Sequence, residues 1–378
     1  MDTGSARRIG VALTEKQRIA WLRLIRSDNV GPSTFRDLIH HYGSAEAALA
    51  ALPELSQRGG STRAIRIADE RDALRELEAA HRFGHRQGRQ HARDVREIDG
   101  APPLLAVKGN MPTATQPAIG MVGSRNASIS GAKFTAMIAR TCGEAGYAVV
   151  SGLARGIDTA AHRVSLVTGT IAAMAGGLDQ PYPPENIGLL NDIWDGNGLA
   201  VSEMPFGWEP RARDFPRRNR LIAGISLGVV VVEAATRSGS LITARLAGEF
   251  GRLVFAVPGS PLDPRCEGTN GLLKDGAMIV TTPDDVVEAL RPLAEPDLFH
   301  PRPAAPPVER SRARSTPPDD AERDHIIEAL GPTPVEIDDI VRHTGLPISA
   351  VHSVLLELDM AGRLHRHPGG LVSISMLD

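Results

Sequence analysis

Glycine follows a short apolar run at three points in the middle of the chain, and serine and arginine accompany it at the first two. The three segments are Gly123-Ser124-Arg125, Ser151-Gly152 with Arg155, and Gly176-Gly177. Glycine lets the backbone turn sharply where a strand ends, and amides at the start of the next helix favour an anionic oxygen. Any one of these loops is equally well explained as a tight turn. Three in succession predict a surface that binds phosphate groups.

A denser cluster of positive charge follows. It has five arginines within ten residues, with a phenylalanine and an asparagine among them: Arg211, Arg213, Phe215, Arg217, Arg218, Asn219 and Arg220. Guanidinium groups pair with phosphates, and an aromatic ring can stack on a base. The alternative is a solvated helix start, but such a surface normally mixes charges of both signs. The cluster therefore favours binding of single-stranded nucleic acid.

Another small-residue loop, Ser238-Gly239-Ser240, lies between a Val-rich run and a helical pattern. Its position also suits a phosphate at a helix start. It lacks the lysine of a Walker loop, and no segment matches GxGxxG with an acidic residue about 20 positions later. We therefore expect no dinucleotide cofactor.

The candidates for catalysis or metal binding are few. Asp158 and Asp179 each follow a glycine-rich turn, where an aspartate commonly caps a helix or braces its own loop. His162 lies four residues after Asp158, so a side-chain pair on one helix face is the simplest interpretation. Cys142 and Cys266 have no metal-ligand spacing, which indicates a reducing compartment. We expect no metal, no cofactor and no catalytic residue.

Composition and length set limits on the fold and on the partners. A chain of 378 residues exceeds the size at which one core keeps growing, so two or three domains are expected. The net charge is only −3, so affinity for a polyanion must come from local clusters of arginine. Neither an apolar signal segment nor a run of about 18 apolar residues is found. We expect a cytoplasmic protein without a membrane partner.

The flanking regions are predicted to be small domains. Residues 14–95 show helical spacing with Thr14 as a cap, and Asn29-Val30-Gly31-Pro32 forms a turn typical of a helix-hairpin-helix unit or of a plain αα-corner. Residues 292–318 are rich in proline and arginine and read as a linker. Residues 319–378 have the order of a winged-helix domain.

Seven short apolar runs in residues 101–291 alternate with helical patterns. Continuous Val-rich runs are typical of strands that are buried on both faces. The predicted fold class is therefore α/β, with a Rossmann-like, mostly parallel sheet between an all-α N-terminal domain and the C-terminal winged helix. Ligands of such sheets bind at the carboxyl ends of the strands, where the glycine loops lie.

The third helix of the winged-helix segment has an unusual charge. A recognition helix normally presents basic or amide side chains to the major groove. This one has no Arg or Lys and carries Glu357 and Asp359. We expect it to pack or to bind a protein partner, and the alternative is weak DNA contact through Arg363, His365, Arg366 and His367.

Eight motifs, taken together and in order, resemble those of the DNA-processing protein A family, also called Smf. They are VGSR at 122–125, SGLARGIDTAAH at 151–162, GGLD with YPPEN at 176–186, SEMPFG at 202–207, FPRRNRLIAG at 215–224, SGSLITA at 238–244, VFAVPG at 254–259 and GTNGLL at 268–273. The resemblance implies a homodimeric recombination mediator that protects incoming single-stranded DNA in natural transformation and helps to load RecA.

The same resemblance implies which residues bind DNA. It reaches Arg125 and the region of Phe215, Arg217, Arg218 and Arg220 most directly. The full predicted set is Gly123, Ser124, Arg125, Ser151, Gly152, Arg155, Arg211, Arg213, Phe215, Arg217, Arg218, Asn219, Arg220, Ser238, Gly239 and Ser240. Arg163 stands where many members carry lysine, which keeps the charge.

The main alternative is an enzyme, a nucleotide phosphoribohydrolase on a related Rossmann-like fold. The signature of that group is PGGxGTxxE, in which the glutamate assists glycosidic cleavage. Laid over residues 238–246, it keeps Gly239 and Thr243 but places Leu246 at the glutamate position. Leucine is neither acid nor base. Glu233 and Glu249 lie nearby, so the hydrolase stays open as the second hypothesis.

Overall fold

The computed structural model describes residues 13–85, 101–294 and 318–375. The chain forms two compact units, one of residues 1–75 together with 304–378 and one of residues 76–303. Within the described ranges, no helix has both the length and the apolar character needed to cross a bilayer.

Four helices form the N-terminal region: α1 (Glu15–Ile25), α2 (Pro32–Tyr42), α3 (Ala45–Arg58) and α4 (Glu70–His85). Thr14 caps α1 as predicted, and its hydroxyl accepts from the amide of Gln17 in a capping box. Gly31 precedes α2, and Pro32 occupies its first turn, where the missing amide hydrogen is not needed. Trp21 and Phe35 pack edge to face with centroids 5.0 Å apart and anchor α1 to α2.

The central region alternates strands and helices. The strands are β1 (Ala106–Gly109), β2 (Ala118–Val122), β3 (Ala148–Ser151), β4 (Thr170–Ala173), β5 (Gly198–Ser202), β6 (Gly228–Val231), β7 (Leu253–Ala256) and β8 (Met278–Ile279). The helices are α5 (Ile129–Glu144), α6 (Ile157–Ser165), α7 (Ile187–Asp195), α8 (Asp214–Ile225), α9 (Gly239–Glu249), α10 (Glu267–Lys274) and α11 (Pro283–Ala294).

These eight strands form one sheet in the order β1-β5-β4-β3-β2-β6-β7-β8. Every neighbouring pair is parallel except β1 with β5, which is antiparallel. The chain moves outward from β2 to β5 and then returns to the other side of β2 with β6. The strand order reverses there, so the crevice beyond the carboxyl ends of β2 and β6 is the expected ligand site. The prediction of a mostly parallel Rossmann-like sheet is confirmed.

All residues of β2 to β6 are buried, as their apolar runs predict. Alternate residues of β2 face opposite layers. Val122 packs in the cluster that includes α8 and α9, whereas Ile119 and Met121 pack in the cluster that includes α5, α6 and α11. Each large aliphatic side chain buried in this way contributes roughly 1.5–3 kcal/mol to folding.

The edge strand β1 escaped the sequence prediction because Lys108 interrupts its apolar pattern. That lysine is buried, and its Nζ lies 3.5 Å from the ring centroid of Trp194 and 4.0 Å from that of Phe83. Two aromatic faces compensate part of the desolvation of the ammonium group. A charged residue in a short run therefore does not exclude a strand when rings cover the charge.

The C-terminal region is a winged helix, as predicted. It consists of α12 (Asp320–Glu328), β9 (Val335–Glu336), α13 (Ile337–Thr344), α14 (Ile348–Met360), β10 (Leu364–Arg366) and β11 (Leu371–Ile374). The strand order is β10-β11-β9. Most of the predicted linker lies outside the described residues, and its first three residues, 292–294, are the end of α11.

His162 is a fully buried titratable group of α6. Its Nδ1 lies 2.7 Å from the hydroxyl of Thr170, which donates its only hydrogen to the carbonyl of Val149. His162 Nδ1 therefore carries a proton and donates it to Thr170. Burial, together with the smaller effect of the Arg218 charge, lowers the pKa of His162 to about 3.

This histidine makes the free energy of unfolding depend on pH. The unfolded chain takes up a proton near pH 6.5, whereas the folded chain does so only near pH 3, so stability falls as the pH drops below 6.5. Between pH 7 and pH 5 we expect His162 to account for a loss of about 2 kcal/mol in unfolding free energy. Urea unfolding of the native chain and of His162→Gln at both pH values measures it, and equal losses in the two would contradict this assignment.

Candidate nucleic-acid interface

A small, solvent-open pocket lies at the carboxyl edge of the sheet. It is built by the loops after β2, β3 and β4 and by the start of α8. Its lining residues are Arg125, Gly152, Ala154, Arg155, Tyr182, Pro183 and Phe215. The sheet thus brings together, from segments up to 90 positions apart, four of the residues predicted from sequence: Arg125, Gly152, Arg155 and Phe215.

An aromatic pair and an exposed cation form the rim of this pocket. The rings of Tyr182 and Phe215 meet edge to face with centroids 5.7 Å apart, and Tyr182 is 49% exposed. The guanidinium carbon of Arg125 lies 5.5 Å from the centroid of Phe215. Phe215 is half-buried, so Tyr182 offers more ring surface. A base can stack here while its phosphate meets an arginine.

Arg218 is buried beneath the pocket and holds the strand ends together. Its Nη1 donates to the carbonyl of Gly152 at 2.5 Å and to that of Ala173 at 2.6 Å. Gly152 directly follows β3, and Ala173 is the last residue of β4. A Cβ on Gly152 would lie 2.5 Å from the same Nη1, so this position has no room for a side chain. Burial lowers the pKa of Arg218 to about 10, so it stays charged at neutral pH.

Asp158 compensates that charge and shapes the loop after β3. Its Oδ2 accepts from the amides of Gly152 at 3.0 Å and of Ala154 at 3.2 Å. Burial raises the pKa of Asp158, against the opposing effect of Arg218. The predicted pair of Asp158 with His162 is wrong, because the two side chains bond to different partners. Among the described residues, no three His, Cys, Asp or Glu side chains converge on a metal site.

Two further contacts fix the same loop. Gly156 has φ of +72°, and a Cβ there would lie 2.2 Å from the carbonyl oxygen of Ser124. That carbonyl accepts from the amide of Ile157 at 3.2 Å. Glycine is therefore required both by the left-handed backbone and by the close approach. The loops after β2 and β3 are held against each other, which sets the position of Arg125 relative to Arg155.

The arginine cluster divides into an inner and an outer part. Glu203 is buried and accepts from Arg217 Nε at 2.7 Å and from the guanidinium of Arg220. The Arg220 side chain is only 14% exposed, whereas that of Arg217 is 42% exposed. Arg211 and Arg213 are exposed where α8 begins. One face of the cluster therefore meets solvent, and the rest binds its own chain.

The α8 start is itself braced by a buried carboxylate. Asp214 accepts from the indole of Trp208 and from the amide of Arg211, both at 2.9 Å, and the Arg211 guanidinium lies 4.9 Å from the Trp208 ring centroid. Asp179 accepts from the amide of Gly207 at 2.9 Å and so braces the loop after β5, which the sequence did not predict.

The predicted hydroxyl donors are mostly engaged within the chain. Ser151 donates to the carbonyl of Met121 at 2.6 Å, and Ser124 accepts from the amide of Asn126 at 3.1 Å. Ser238 caps α9 by accepting from the amide of Ser240. Asn219 donates to the carbonyl of Gly239 at 3.2 Å and so ties α8 to this loop.

Sequence reasoning missed Tyr182, Pro183 and Ala154, which line the pocket, and Glu203, which orients two arginines. Tyr182 and Pro183 belong to the YPPEN motif, which identified the family but gave no reason to place a ring at the site. Ala154 offers no chemical signal. The DNA-binding role of every residue in the predicted set stays a prediction.

The carboxylates invoked for hydrolysis have structural partners. Glu233 accepts from both the amide and the hydroxyl of Ser128, which caps α5. Glu249 pairs with Arg245 at 3.5 Å near the end of α9. Leu246 packs against the core cluster beneath α9. Nothing in this arrangement favours glycosidic cleavage.

The inner and outer arginines should differ in their effect on stability. Arg218→Ala leaves two buried carbonyls and the Asp158 carboxylate without their partner, and loss of one member of a buried pair costs roughly 3–5 kcal/mol. Arg217→Ala removes a partly exposed pair worth about 1 kcal/mol or less. Urea unfolding of the two variants measures the difference, and equal losses would contradict the role given to Arg218.

Comparison with protein-family models finds three matches along the chain, one for each predicted domain. The family model described as DNA recombination-mediator protein A matches residues 84–291, the DprA-like N-terminal HHH domain matches 15–79, and the DprA winged helix domain matches 310–370.

Individual relatives agree with these matches. Protein Smf of Escherichia coli (strain K12) is 38% identical over 72% of each chain, and Protein Smf of Synechocystis is 31% identical over 94% of this chain and 98% of its own. The X-ray structure of DNA processing protein A from Streptococcus pneumoniae aligns with a TM-score of 0.57 at 33% identity. It covers 74% of this chain and 98% of its own.

Proposed function

The chain belongs to the DNA recombination-mediator protein A family, and from that premise we propose that it binds single-stranded DNA at the strand-end pocket. The observation that supports this most is the meeting of Arg125, Tyr182 and Phe215 at the carboxyl edge of the sheet. A cation beside two rings matches a nucleotide, whose phosphate and base need these two kinds of contact.

The charges near the pocket favour a polymer rather than a single nucleotide. Arg155 lines the pocket with Arg125, and Arg211 and Arg213 are exposed at the start of α8. Within the described ranges, Arg155 has a weak pair with Glu185 at 3.8 Å, and no carboxylate forms an ion pair with Arg125. The net charge of the chain is −3, so the attraction is local.

The contacts divide between residues that touch DNA and residues that hold the site. The amides of Gly152 and Ala154 are taken by Asp158, so the arginines rather than these amides meet the phosphates. We place Arg125, Arg155, Tyr182, Phe215 and the outer face of Arg217 in contact with the strand. Ser151, Arg218, Asn219 and Arg220 act by keeping the loops in position, as their intramolecular bonds indicate.

Base identity should matter little at such a site. Every base has an aromatic face, and phosphates carry no sequence information. The aromatic pair lies at a solvent-open site whose neighbouring amides, those of Gly152 and Ala154, are bonded to Asp158, so we expect oligonucleotides of equal length and different sequence to bind with similar affinity.

Single substitutions test the site directly. Arg125→Ala should weaken binding of a thymidine oligomer about tenfold and reduce the dependence of log affinity on log salt by about 0.7, because one phosphate contact is lost. Phe215→Ala removes stacking worth about 1–3 kcal/mol per base. Fluorescence anisotropy across a salt series measures both.

Arg140→Ala is the matched control. Arg140 is an exposed arginine near the end of α5, and helices run opposite to the strands, so it lies toward the other edge of the sheet. Its affinity and salt slope should equal those of the native chain. Unchanged binding by Arg125→Ala would refute the proposed site.

We further propose that the bound strand is handed to RecA during natural transformation. The support is family membership, together with a site that holds DNA by side-chain contacts and can release it. On single strands coated with a single-strand-binding protein, the native chain should shorten the lag before RecA hydrolyses ATP. Arg125→Ala should lengthen that lag, whereas Arg140→Ala should not. Equal lags with and without the native chain would contradict the loading role.

A homodimer is part of the same proposal. The last strand of the sheet, β8, has exposed Met278 and Ile279, and no other strand in the described ranges pairs with its outer edge. Such an edge is a common site for pairing with a second copy. Light scattering of the full chain measures this state directly.

A further inference from the structure

The helix α14 is buried on two sides. Val351, Val354, Leu355 and Leu358 lie in the core of the winged helix. A second stripe, formed by Ser353, Leu356, Glu357 and Met360, is also buried but lies outside that core. In a winged helix that reads DNA, this outward stripe of the third helix enters the major groove. Here the elements packed on α14 include α2 and α3.

The approach of α14 to α3 is close enough to require glycine. A Cβ on Gly59, the residue that ends α3, would lie 2.0 Å from the carbonyl oxygen of Glu357 and 2.7 Å from the Cβ of Ala361. Gly59 has φ of −67°, which any residue adopts, so its backbone conformation does not call for glycine. The close contact itself does.

Glu357 provides a buried charge for this contact. Its side chain is 1% exposed and accepts from Arg58 Nε at 2.9 Å, on α3, and from Arg323 Nε at 3.1 Å, on α12. A carboxylate is retained in such a place only when it is paired, and the two guanidinium groups supply the pairing. The acidic residue that disfavours DNA on this helix is therefore an anchor for α3.

Asp359 forms a second anchor, to α2. It accepts from the hydroxyl of Thr34 and from Arg366 Nε, both at 2.9 Å. Arg366 also pairs with Asp37 of α2 at 2.7 Å. One of the arginines considered for DNA contact by the wing is thus held between two aspartates.

The hairpin of the N-terminal domain faces the same interface. Asn29, with φ of +59°, donates its side-chain amide to the carbonyl of Met360 at 2.9 Å. Arg363 donates to the carbonyl of Gly59 at 3.1 Å. The turn that is typical of a helix-hairpin-helix unit is therefore bound to the end of α14.

We propose that the two terminal domains form one docked module, in which the recognition helix and the hairpin occlude each other's nucleic-acid surface. The partner of the winged helix is then the helical domain of its own chain. Neither terminal domain reads duplex DNA, and DNA binding is left to the central domain. The apolar stripe gives the docking its affinity, and the two carboxylate anchors set its register.

A protease site inserted between residues 300 and 310 allows the full chain to be cut after it has folded. We expect the C-terminal fragment to co-elute with the remainder in size-exclusion chromatography at about 0.15 M salt, where surface attraction alone is screened. Release of the fragment from the cut native sequence would overturn the proposal.

Two substitutions locate the contact. Gly59→Leu should lower the retained fraction at least tenfold. Gly331→Leu should retain the fragment, because a Cβ on this glycine of the winged helix would have no neighbouring atom closer than 4.0 Å. Asp37→Lys is the milder variant, since its partner Arg366 lies outside both cores, and should release the fragment at lower salt than the native chain. Retention by both Gly59→Leu and Asp37→Lys would refute the docked interface.

Competition with duplex DNA is the last test of the docked interface. If α14 is occluded as proposed, saturating the cut native chain with a duplex of about 20 base pairs leaves the fragment bound. Displacement of the fragment by duplex would show that α14 prefers the major groove to α3, and would overturn the proposal.

Discussion

The candidate site depends on one buried guanidinium. Arg218 reaches the carbonyl oxygens after β3 and at the end of β4, and Asp158 beside it holds the amides of the β3 loop. Backbone groups at the ends of parallel strands leave the sheet ladder, and this pair supplies hydrogen-bond partners to those after β3 and at the end of β4. The geometry of the pocket follows from that, because Gly152 lines it while touching Arg218.

The same constraint explains why a nearly neutral chain can present a positive surface. Buried carboxylates hold the inner arginines, so Glu203 neutralises Arg220 and orients Arg217. Arg125 and Arg155 stay exposed on loops whose shape is fixed from below. In the proposed complex, a polyanion would meet arginines carried by loops that are already ordered, so less backbone entropy would be lost on binding.

The terminal module shows the opposite use of charge. Glu357 and Asp359 lie on a helix that in other winged helices faces DNA, and here they pair with arginines and a threonine of the same unit. At the pocket and in the terminal module, carboxylates thus hold neighbouring elements together. At the pocket they leave arginines free for a ligand, and in the module they leave α14 without a basic face.

Local sequence determined the elements and the family. Seven strands follow from continuous apolar runs, and the strand-end loops follow from glycine, because strand and turn preferences act over a few residues. The tertiary structure decided which arginines face solvent. Arg217 and Arg218 are adjacent and chemically identical in sequence, yet one reaches the surface and the other lies under the pocket. Burial and pairing join residues as far apart as Arg218 and Gly152 or Glu357 and Arg58, and only the folded chain brings such residues together.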